Sequence, residues 1–321
     1  MGKIFIVVVT YANRWVYLES LLNFGSKLED IEFVLVNNNS TYNLKHKLDA
    51  LNDCKINFID SSENKGSAWG YKTGLEFCIS KTNCNFIWLL DDDNLPSESC
   101  LTELKKIFKS YTALYGNEKF ALQCLRIKRS YLVRVANGEP VSWNFPSKNA
   151  FLGFHFARIF IGLQRRFFTP KNETDSIQIP CAPYGGLFFK KELIENVPLP
   201  DVRFFVYADD FDFTYNLTTL NKPIYLVKNA IVDDLAETWG ASDKKPILPK
   251  MLRFDEPKIH MSVRNFVYFQ VKHTVDSAFI FTLNKNLYII YLFLLSVFSG
   301  RMSYFKRFMN NVKSGLKGDF Y

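Results

Sequence analysis

The chain has 321 residues, of which 48% are hydrophobic and 22% are charged, and its formal net charge is +8. This composition excludes a largely disordered chain and predicts a core for one α/β domain, alone or with a sizeable appendage. The positive charge favours an anionic partner, namely a nucleic acid, a phospholipid surface or a diphosphate substrate.

Strands and helices alternate along the first third of the chain. Apolar, β-prone runs predict strands, and apolar residues at helical spacing predict the helices between them. The predicted strands are Ile4–Thr10, Ile31–Val36, Ile56–Asp60 and Phe86–Leu90, and the predicted helices are Arg14–Leu28, Thr41–Leu51, Gly66–Ser80 and Ser99–Tyr111. Four alternations with short links predict a doubly wound, mainly parallel sheet.

Polar clusters follow all four predicted strands. They are Tyr11–Arg14, Asn37–Ser40, Asp60–Asn64 and Asp91–Asn94. Ligands of such sheets bind beyond the carboxyl ends of the strands, so these clusters indicate one shared crevice.

The alternation loosens after Gln123. The predicted elements are a helix in Phe151–Phe168, a strand over Ile179–Lys190 entered through Pro183–Gly186, a helix over Asp209–Leu220, short strands at Ile224–Val227 and Ala230–Val232, and a helical tail from Phe266. The chain is therefore expected to form one domain over residues 1–240 and a helical extension over residues 241–321.

Three aspartates, Asp91, Asp92 and Asp93, come directly after a predicted buried strand. Such a strand end is costly unless a cation or hydrogen-bond donors neutralise the carboxylates. Mg²⁺ and Mn²⁺ prefer oxygen ligands, so Asp91 and Asp93, one strand period apart, are candidates for nucleotide and metal contacts. The alternative is an acidic helix start, with a turn at Asn94–Pro96.

The order of motifs resembles family 2 glycosyltransferases of the GT-A fold, and most closely the bacterial rhamnosyl- and galactofuranosyltransferase-like branch. The resemblance covers roughly Lys3 to Leu235 and rests on five segments in order. These are "VVVTYANR", "VNNNS", "NKGSAWGYKTGL", "WLLDDDNLP" and "PLPDVRFFVYADDFDF".

The resemblance implies a nucleotide-sugar site. Its residues would be Thr10, Tyr11, Arg14, Asn37, Asn64, Gly66, Asp91, Asp92 and Arg264. Asn37 stands where the family usually has an aspartate, and an amide also hydrogen-bonds a uracil or thymine edge. Gly70 and Gly74 would bring a helix close to the donor, or simply allow helix–sheet packing. For Arg264, a surface salt bridge is the alternative.

The resemblance also implies an Mn²⁺ or Mg²⁺ ion, held by Asp91, Asp93 and Asp234. Family members often place a metal-ligating histidine after the base, but "AIVDDLAETWG" contains none. Asp233 or Asp234 would supply an oxygen ligand instead, or neither binds the metal.

The family's paired acids imply that Asp210 is the general base, with Asp209 orienting the acceptor or Asp210 itself. Helix capping against the dipole is the alternative for these residues and for Asp212. Gly185 and Gly186 in "CAPYGG" would allow close approach of an acceptor sugar, or only form a tight turn.

The expected function is inverting transfer of galactofuranose, rhamnose or a similar sugar from a UDP- or dTDP-sugar to a glycan or lipid-linked acceptor, in bacterial surface polysaccharide synthesis. A nucleotidyltransferase is one alternative, but it needs a glycine- and lysine-rich loop that "TYANRW" lacks. A non-catalytic nucleotide- or membrane-binding module is another, and it has no need of the second acid cluster.

The tail combines the apolar run Leu287–Phe298 with basic and aromatic residues downstream. The run is too short for a span of roughly 20 residues, so it predicts a helix lying on an anionic leaflet. A buried packing helix and a homo-oligomer interface are the alternatives. Aromatic and basic residues interleave here in a way that favours a membrane surface over a nucleic acid.

The expected location is cytoplasmic, peripheral on the inner face of the cell membrane. The apolar run Ile4–Val9 is too short for a signal peptide. The six cysteines form no zinc-like array, which predicts reduced and mostly buried thiols.

Overall fold

A computed structural model of the protein describes residues 2–51, 55–116, 118–158, 174–236, 249–253 and 257–320, together with residues 161, 164, 165 and 168. In this part of the chain, nine strands form one sheet. The strands are β1 (Ile4–Ala12), β2 (Ile31–Ser40), β3 (Ile56–Ser61), β4 (Phe86–Asp91), β5 (Asn94–Pro96), β6 (Ala121–Arg126), β7 (Ser176–Ile179), β8 (Leu187–Lys190) and β9 (Ile224–Asp234). The predicted α/β class is confirmed.

Helices flank the sheet and form the C-terminal part of the chain. They are α1 (Trp15–Gly25), α2 (Leu44–Asp49), α3 (Gly66–Ser80), α4 (Cys100–Tyr115), α5 (Ser130–Ala136), α6 (Val141–Asn144), α7 (Asp209–Thr219), α8 (Lys250–Arg253), α9 (Pro257–His273), α10 (Ala278–Phe298) and α11 (Met302–Lys317).

The strand order is β3-β2-β1-β4-β8-β6-β9-β5, and β7 pairs with β9. The four N-terminal βα strands are parallel to one another, as is the β6–β9 pair, whereas β8, β5 and β7 pair antiparallel with their neighbours. The carboxyl ends of β1, β2, β3 and β4 therefore share one edge, as the sequence predicts.

Both faces of the sheet are buried, and β1 illustrates how. Phe5, Val7 and Val9 pack into a core shared with α3, α5 and α7. The alternate residues Ile4, Ile6 and Val8 pack into a second core shared with α1, α2 and α4. A strand buried on both faces has to be apolar throughout, which explains why the sequence pattern alone locates it.

Two glycines of α3 allow this helix to approach β1. A Cβ at Gly70 would overlap the methyls of Val9, and a Cβ at Gly74 would overlap those of Val7. Helix–sheet packing is therefore the correct interpretation of these two glycines.

Three predicted strands differ from the structure. The strand expected over Ile179–Lys190 is interrupted between β7 and β8, because the intervening segment contains two prolines and Gly186 with a φ of +94°. The strands expected at Ile224–Val227 and Ala230–Val232 form the single strand β9, with a register shift against β6. The helix expected within Phe151–Phe168 lies partly outside the described residues; within the described part, Phe156–Arg158 forms a short 3-10 turn and residues 161 and 164 are helical.

Helix α10 has 21 residues and is longer than the apolar run that predicted it. The apolar run alone is shorter than a membrane span, but the whole helix is long and apolar enough to cross a membrane by length and composition, and 17% of its apolar window is buried. Its buried side chains are Phe281, Asn284, Leu292 and Ser296. The Asn284 amide donates to the Asn149 carbonyl oxygen at 2.8 Å, which ties this face to the rest of the protein.

Candidate active site

A cleft of about 500 Å³ lies at the carboxyl ends of β1 and β4 and is closed by the starts of α3, α7 and α9. The predicted site residues on its wall are Tyr11, Arg14, Asn64, Gly66, Asp91, Asp92, Asp93, Asp209 and Asp210. The structure thus brings both acid clusters and three strand-end segments into one site.

The acidic triplet lies at the end of β4, in the turn before β5. Helix α4 begins only at Cys100, so the helix-start interpretation of the triplet is wrong. Asp92 is buried and accepts hydrogen bonds from the Thr10 hydroxyl at 2.8 Å and from Arg14 Nε at 2.7 Å. Arg14 Nη2 lies 2.8 Å from Asp93 Oδ2, so one guanidinium contacts two of the three carboxylates.

Asp91 is held by different partners. The Tyr71 hydroxyl donates to Asp91 Oδ1 at 2.8 Å, and Arg126 Nη1 lies 2.8 Å from Asp91 Oδ2. Arg126 ends β6 with 2% of its side chain exposed, and its Nε also donates to Asp234 Oδ1 at 2.8 Å. The Asn94 amide donates to the same Asp234 oxygen at 2.8 Å. A buried guanidinium therefore bridges the end of β4 to the end of β9.

The three carboxyl groups of the triplet differ in pKa. Burial raises the pKa of Asp92 to about 7, although Arg14 opposes the shift. Burial and the charge of Asp91 raise the pKa of Asp93. Burial also disfavours ionised Asp91, but Arg126 and the Tyr71 hydroxyl outweigh it and lower its pKa. Asp91 is therefore the carboxylate that ionises most readily.

Asp91 and Asp93, the predicted metal ligands, both line the cleft. They are close enough for mutual repulsion to shift the pKa of Asp93, and a cation would relieve that repulsion. Among the described residues, no three His, Cys, Asp or Glu side chains gather as a metal site. Two carboxylates would leave the other positions to diphosphate and water, which is usual for Mg²⁺.

The position of Asp234 speaks against its predicted role as a metal ligand. Its side chain is 2% exposed, is paired with Arg126 and Arg129, and does not line the cleft. Asp234 instead neutralises the buried guanidinium of Arg126, which a buried charge requires.

The second acid cluster occupies the first turn of α7, where acids also favour the helix dipole. Its three members have different surroundings. Asp210 is half-buried on the cleft wall, and its Oδ1 accepts the Phe211 N–H at 2.8 Å. Asp209 is buried and accepts from the Ser67 hydroxyl at 2.8 Å. Asp212 points away from the cleft and binds Lys272 and His273 of α9, each at 2.8 Å.

Burial raises the pKa of both Asp209 and Asp210. The negative charge of Asp210 raises the pKa of Asp209 further. Asp91 adds to the shift of Asp210, while Arg129 and Arg126 oppose it, so the two acid clusters interact electrostatically. A carboxylate with a raised pKa accepts a proton more readily, which suits a general base.

Several predicted nucleotide-site residues do not line the cleft. Thr10 lies behind it and supports Asp92. The Asn37 amide donates to Asp60 at 2.7 Å, whereas its neighbour Asn38 lines the cleft and donates to Asn64 at 3.0 Å. Arg264 Nη1 donates to the Phe320 carbonyl oxygen at 2.7 Å and also stays outside.

Gly185 and Gly186 lie behind the cleft wall. A Cβ at Gly185 would overlap Asn94 and Arg126 and crowd Asp91, and a Cβ at Gly186 would crowd Cys124. Gly185 allows the turn before β8 to approach the Asp91–Arg126 pair, and Gly186 allows it to approach β6. Neither glycine lines the cleft, although the predicted acceptor contact requires it.

Several residues on the cleft wall are not predicted from the sequence, chiefly Arg126, Arg129, Tyr71 and Lys258. The position of Arg126 could have indicated a site residue, because it ends the apolar strand β6 just as the triplet ends β4. Because β4 and β6 run in the same direction, their carboxyl ends lie at the same edge of the sheet, and this arginine lies there with the triplet.

An α/β sheet with an acid-lined cleft beyond its parallel strand ends is typical of nucleotide-binding enzymes. The sequence model of glycosyl transferase family 2 matches residues 6–197, more than half of the chain, and the chain belongs to this family. It is therefore a glycosyltransferase of the GT-A type.

The chain is similar to galactofuranosyltransferase GlfT1 of Mycolicibacterium smegmatis, with 23% identity over 273 residues that cover 82% of this chain and 81% of that protein. Its fold is similar to S. aureus TarS 1-349 in complex with UDP-GlcNAc (TM-score 0.53, 14% identity, 98% of this chain and 80% of that one). It is also similar to the mannosyltransferase PcManGT of Pyrobaculum calidifontis in complex with GDP-Man and Mn²⁺ (TM-score 0.50, 13% identity, 100% and 87%). The chain spans 37% of a longer S. aureus TarS structure.

Proposed function

We propose that the chain is an inverting, metal-dependent hexosyltransferase. It takes a sugar such as galactofuranose or rhamnose from a UDP- or dTDP-sugar and transfers it to a glycan or lipid-linked acceptor of a bacterial surface polysaccharide. The catalytic domain comprises residues 1–240, and residues 241–321 form the helical extension.

One observation carries this proposal. The wall of a single cleft holds an acid pair with opposed pKa shifts, Asp91 and Asp93, and also a half-buried carboxyl with a raised pKa, Asp210. Sugar transfer from a nucleotide diphosphate needs both kinds of group. The departing diphosphate needs positive charge beside it, and the attacking hydroxyl needs a base.

The residues of the chain divide these tasks. Arg14 and Arg126 pair with the aspartates of the triplet and keep it ordered. Asp91 and Asp93 would hold Mn²⁺ or Mg²⁺, which supplies Lewis-acid stabilisation of the leaving phosphate when bound. Asp210 takes the proton of the acceptor hydroxyl, on the side of the cleft formed by α7. Asp209 is buried behind it and fixes the start of α7 through Ser67.

A donor screen tests the proposal. UDP- and dTDP-sugars are compared by thermal shift with and without Mn²⁺, and the stabilising donors are then assayed for nucleotide release. Wild-type protein should be stabilised by at least one donor only with metal, and Asp210→Asn should bind that donor without turning it over. No stabilisation by any donor in Mn²⁺ would contradict the proposal.

We also propose that α10 rests on an anionic membrane surface. Its exposed face is apolar over several turns and includes Phe279, Ile290, Leu294 and Phe298. The adjoining α11 exposes Lys306, Arg307, Lys313 and Lys317. Apolar and cationic surface side by side fit acyl chains and anionic headgroups. A homo-oligomer interface would cover the same apolar face, and sedimentation without lipid distinguishes the two.

A further inference from the structure

The segment that leads into the second acid cluster has an unusual backbone. Phe205, Tyr207 and Ala208 have φ values of 61°, 71° and 62°, although none of them is glycine. The Val206 N–H donates to the Phe204 carbonyl oxygen at 2.7 Å, which closes a γ-turn with positive φ at Phe205. Such conformations persist only where the surrounding structure imposes them. Whatever imposes them also sets where Asp209 and Asp210 begin α7.

One buried side chain of α9 contacts the backbone of this segment three times. Asn265 is 0% exposed. Its Nδ2 donates to the carbonyl oxygens of Phe204 and Val206 at 2.8 Å each, and to that of Tyr207 at 3.1 Å. An amide nitrogen carries two hydrogens, so one of them is shared between two carbonyl groups. These contacts gather three carbonyl groups of the strained segment around a single nitrogen.

Arg264 fixes the orientation of this amide. Arg264 Nε donates to Asn265 Oδ1 at 3.0 Å, and only an oxygen can face that N–H. The same guanidinium donates to the Phe320 carbonyl oxygen at 2.7 Å, and the Phe320 ring packs on Phe204 with centroids 5.4 Å apart. Arg264, predicted to lie at the donor site, thus acts on the segment that leads into Asp209 and Asp210 through its neighbour Asn265.

The opposite side of the segment rests on α3. The Ala68 N–H donates to the Phe205 carbonyl oxygen at 3.2 Å. Gly66 has a φ of +83°, and a Cβ there would overlap the same carbonyl oxygen. The segment is therefore confined between the start of α3 and Asn265. It connects the start of α3 to the start of α7, which carries Asp209 and Asp210.

We propose that Asn265 is a positioning residue for the general base. By holding the carbonyl groups of Phe204, Val206 and Tyr207, it sets the start of α7 so that Asp210 lines the cleft next to Asp91. Arg264 acts through Asn265 by preventing rotation of its amide. This inference rests on the proposed role of Asp210 as the base.

The test is Asn265→Asp, which keeps the size of the side chain but replaces the donor by a second oxygen. The matched control is Asn284→Asp on α10. Asn284 is also 0% exposed, donates to the Asn149 carbonyl oxygen at 2.8 Å, accepts the Phe156 N–H at 2.9 Å and lies outside the cleft wall. The readouts are hydrogen exchange of residues 203–212, UDP affinity in Mn²⁺, turnover of the donor found by screening, and melting temperature.

Asn265→Asp should speed exchange in residues 203–212 and lower turnover about 100-fold, the scale expected for a misplaced catalytic group. UDP affinity should fall much less than turnover. Asn284→Asp should lower the melting temperature but leave the exchange of this segment and the turnover unchanged. Equal effects of both variants on exchange and turnover, or normal turnover in Asn265→Asp, would overturn the proposal.

Arg264→Met decides the question if Asn265→Asp does not fold, because Arg264 is half-buried and the variant keeps the Asn265 side chain while removing the N–H that orients its amide. Exchange in residues 203–212 should rise, and turnover should fall several-fold. Unchanged exchange would refute the positioning role. If wild-type protein turns over no donor, the proposed function fails, whereas the exchange comparison still judges the role of Asn265.

Discussion

The first turn of α7 offers one substitution at three positions with three different expected outcomes. Asp209, Asp210 and Asp212 lie within four residues of each other, and aspartate to asparagine keeps the size while removing charge and basicity. In Asp210→Asn, the amide oxygen still accepts the Phe211 N–H, so the fold should be kept. Loss of a general base lowers kcat by typically 10²–10⁴-fold, and we expect a loss in that range with little change in the donor KM.

The other two variants separate catalysis from stability. Burial and the charge of Asp210 raise the pKa of Asp209, so ionised Asp209 is disfavoured in the fold. Asp209→Asn should therefore leave the free energy of unfolding at neutral pH unchanged or raise it, with a smaller effect on kcat. Asp212→Asn removes the charge that faces Lys272 and His273, and should destabilise the protein by about 2 kcal/mol, the scale of hydrogen bonds to charged groups.

Steady-state kinetics with the donor found by screening and urea unfolding of the same samples measure both effects. The reasoning is refuted if Asp210→Asn turns over normally while Asp209→Asn or Asp212→Asn does not. In that case the base belongs to another member of the cluster.

Three further outcomes are expected. Asp93→Asn should weaken UDP binding in Mn²⁺ at least tenfold without unfolding the protein, as measured by calorimetry; equal UDP affinity with and without metal would contradict this. Because burial raises the pKa of Asp210 and a base must be deprotonated to act, kcat should fall as the pH drops through a value above the ordinary aspartate range of about 4, and Asp210→Asn should lose this limb of the profile. Phe279→Ser with Phe298→Ser should reduce binding to anionic vesicles in flotation assays, and wild-type binding should weaken with salt; wild-type protein that stays unbound at low salt would contradict the membrane role.

The N-terminal βα units are predictable because their signals are local. A strand such as Ile4–Val9, buried on both faces, has to be a continuous apolar run. Parallel strands end at a common edge, so the order of strands and helices is enough to place Asp91–Asp93 and Tyr11–Arg14 together.

The parts of the fold and of the site that the sequence does not predict depend on pairings between residues far apart in sequence. Strand β8 lies between β4 and β6, and its antiparallel pairing has no counterpart in the alternating pattern of the first strands. Arg126 finds Asp234 across 108 positions, and Asn265 finds Val206 across 59. The sequence around a single arginine or asparagine does not predict which distant residue it will contact. Sequence spacing therefore located the acid clusters but not the residues that hold them in place.

The charges on the cleft wall bear directly on how a diphosphate can enter. Five carboxyl groups line the cleft with Arg14, Arg126, Arg129 and Lys258, and all three arginines are already paired with aspartates.

A diphosphate adds negative charge, so it needs either protonation of the wall or an added cation. Burial raises the pKa of Asp92 to about 7, which makes its protonation possible near neutral pH, and UDP affinity would then rise as the pH falls. A divalent cation needs ionised carboxylates, so cation-assisted affinity would rise with pH. The sign of the pH dependence of UDP binding, compared with and without Mn²⁺, therefore identifies which positive charge the cleft uses.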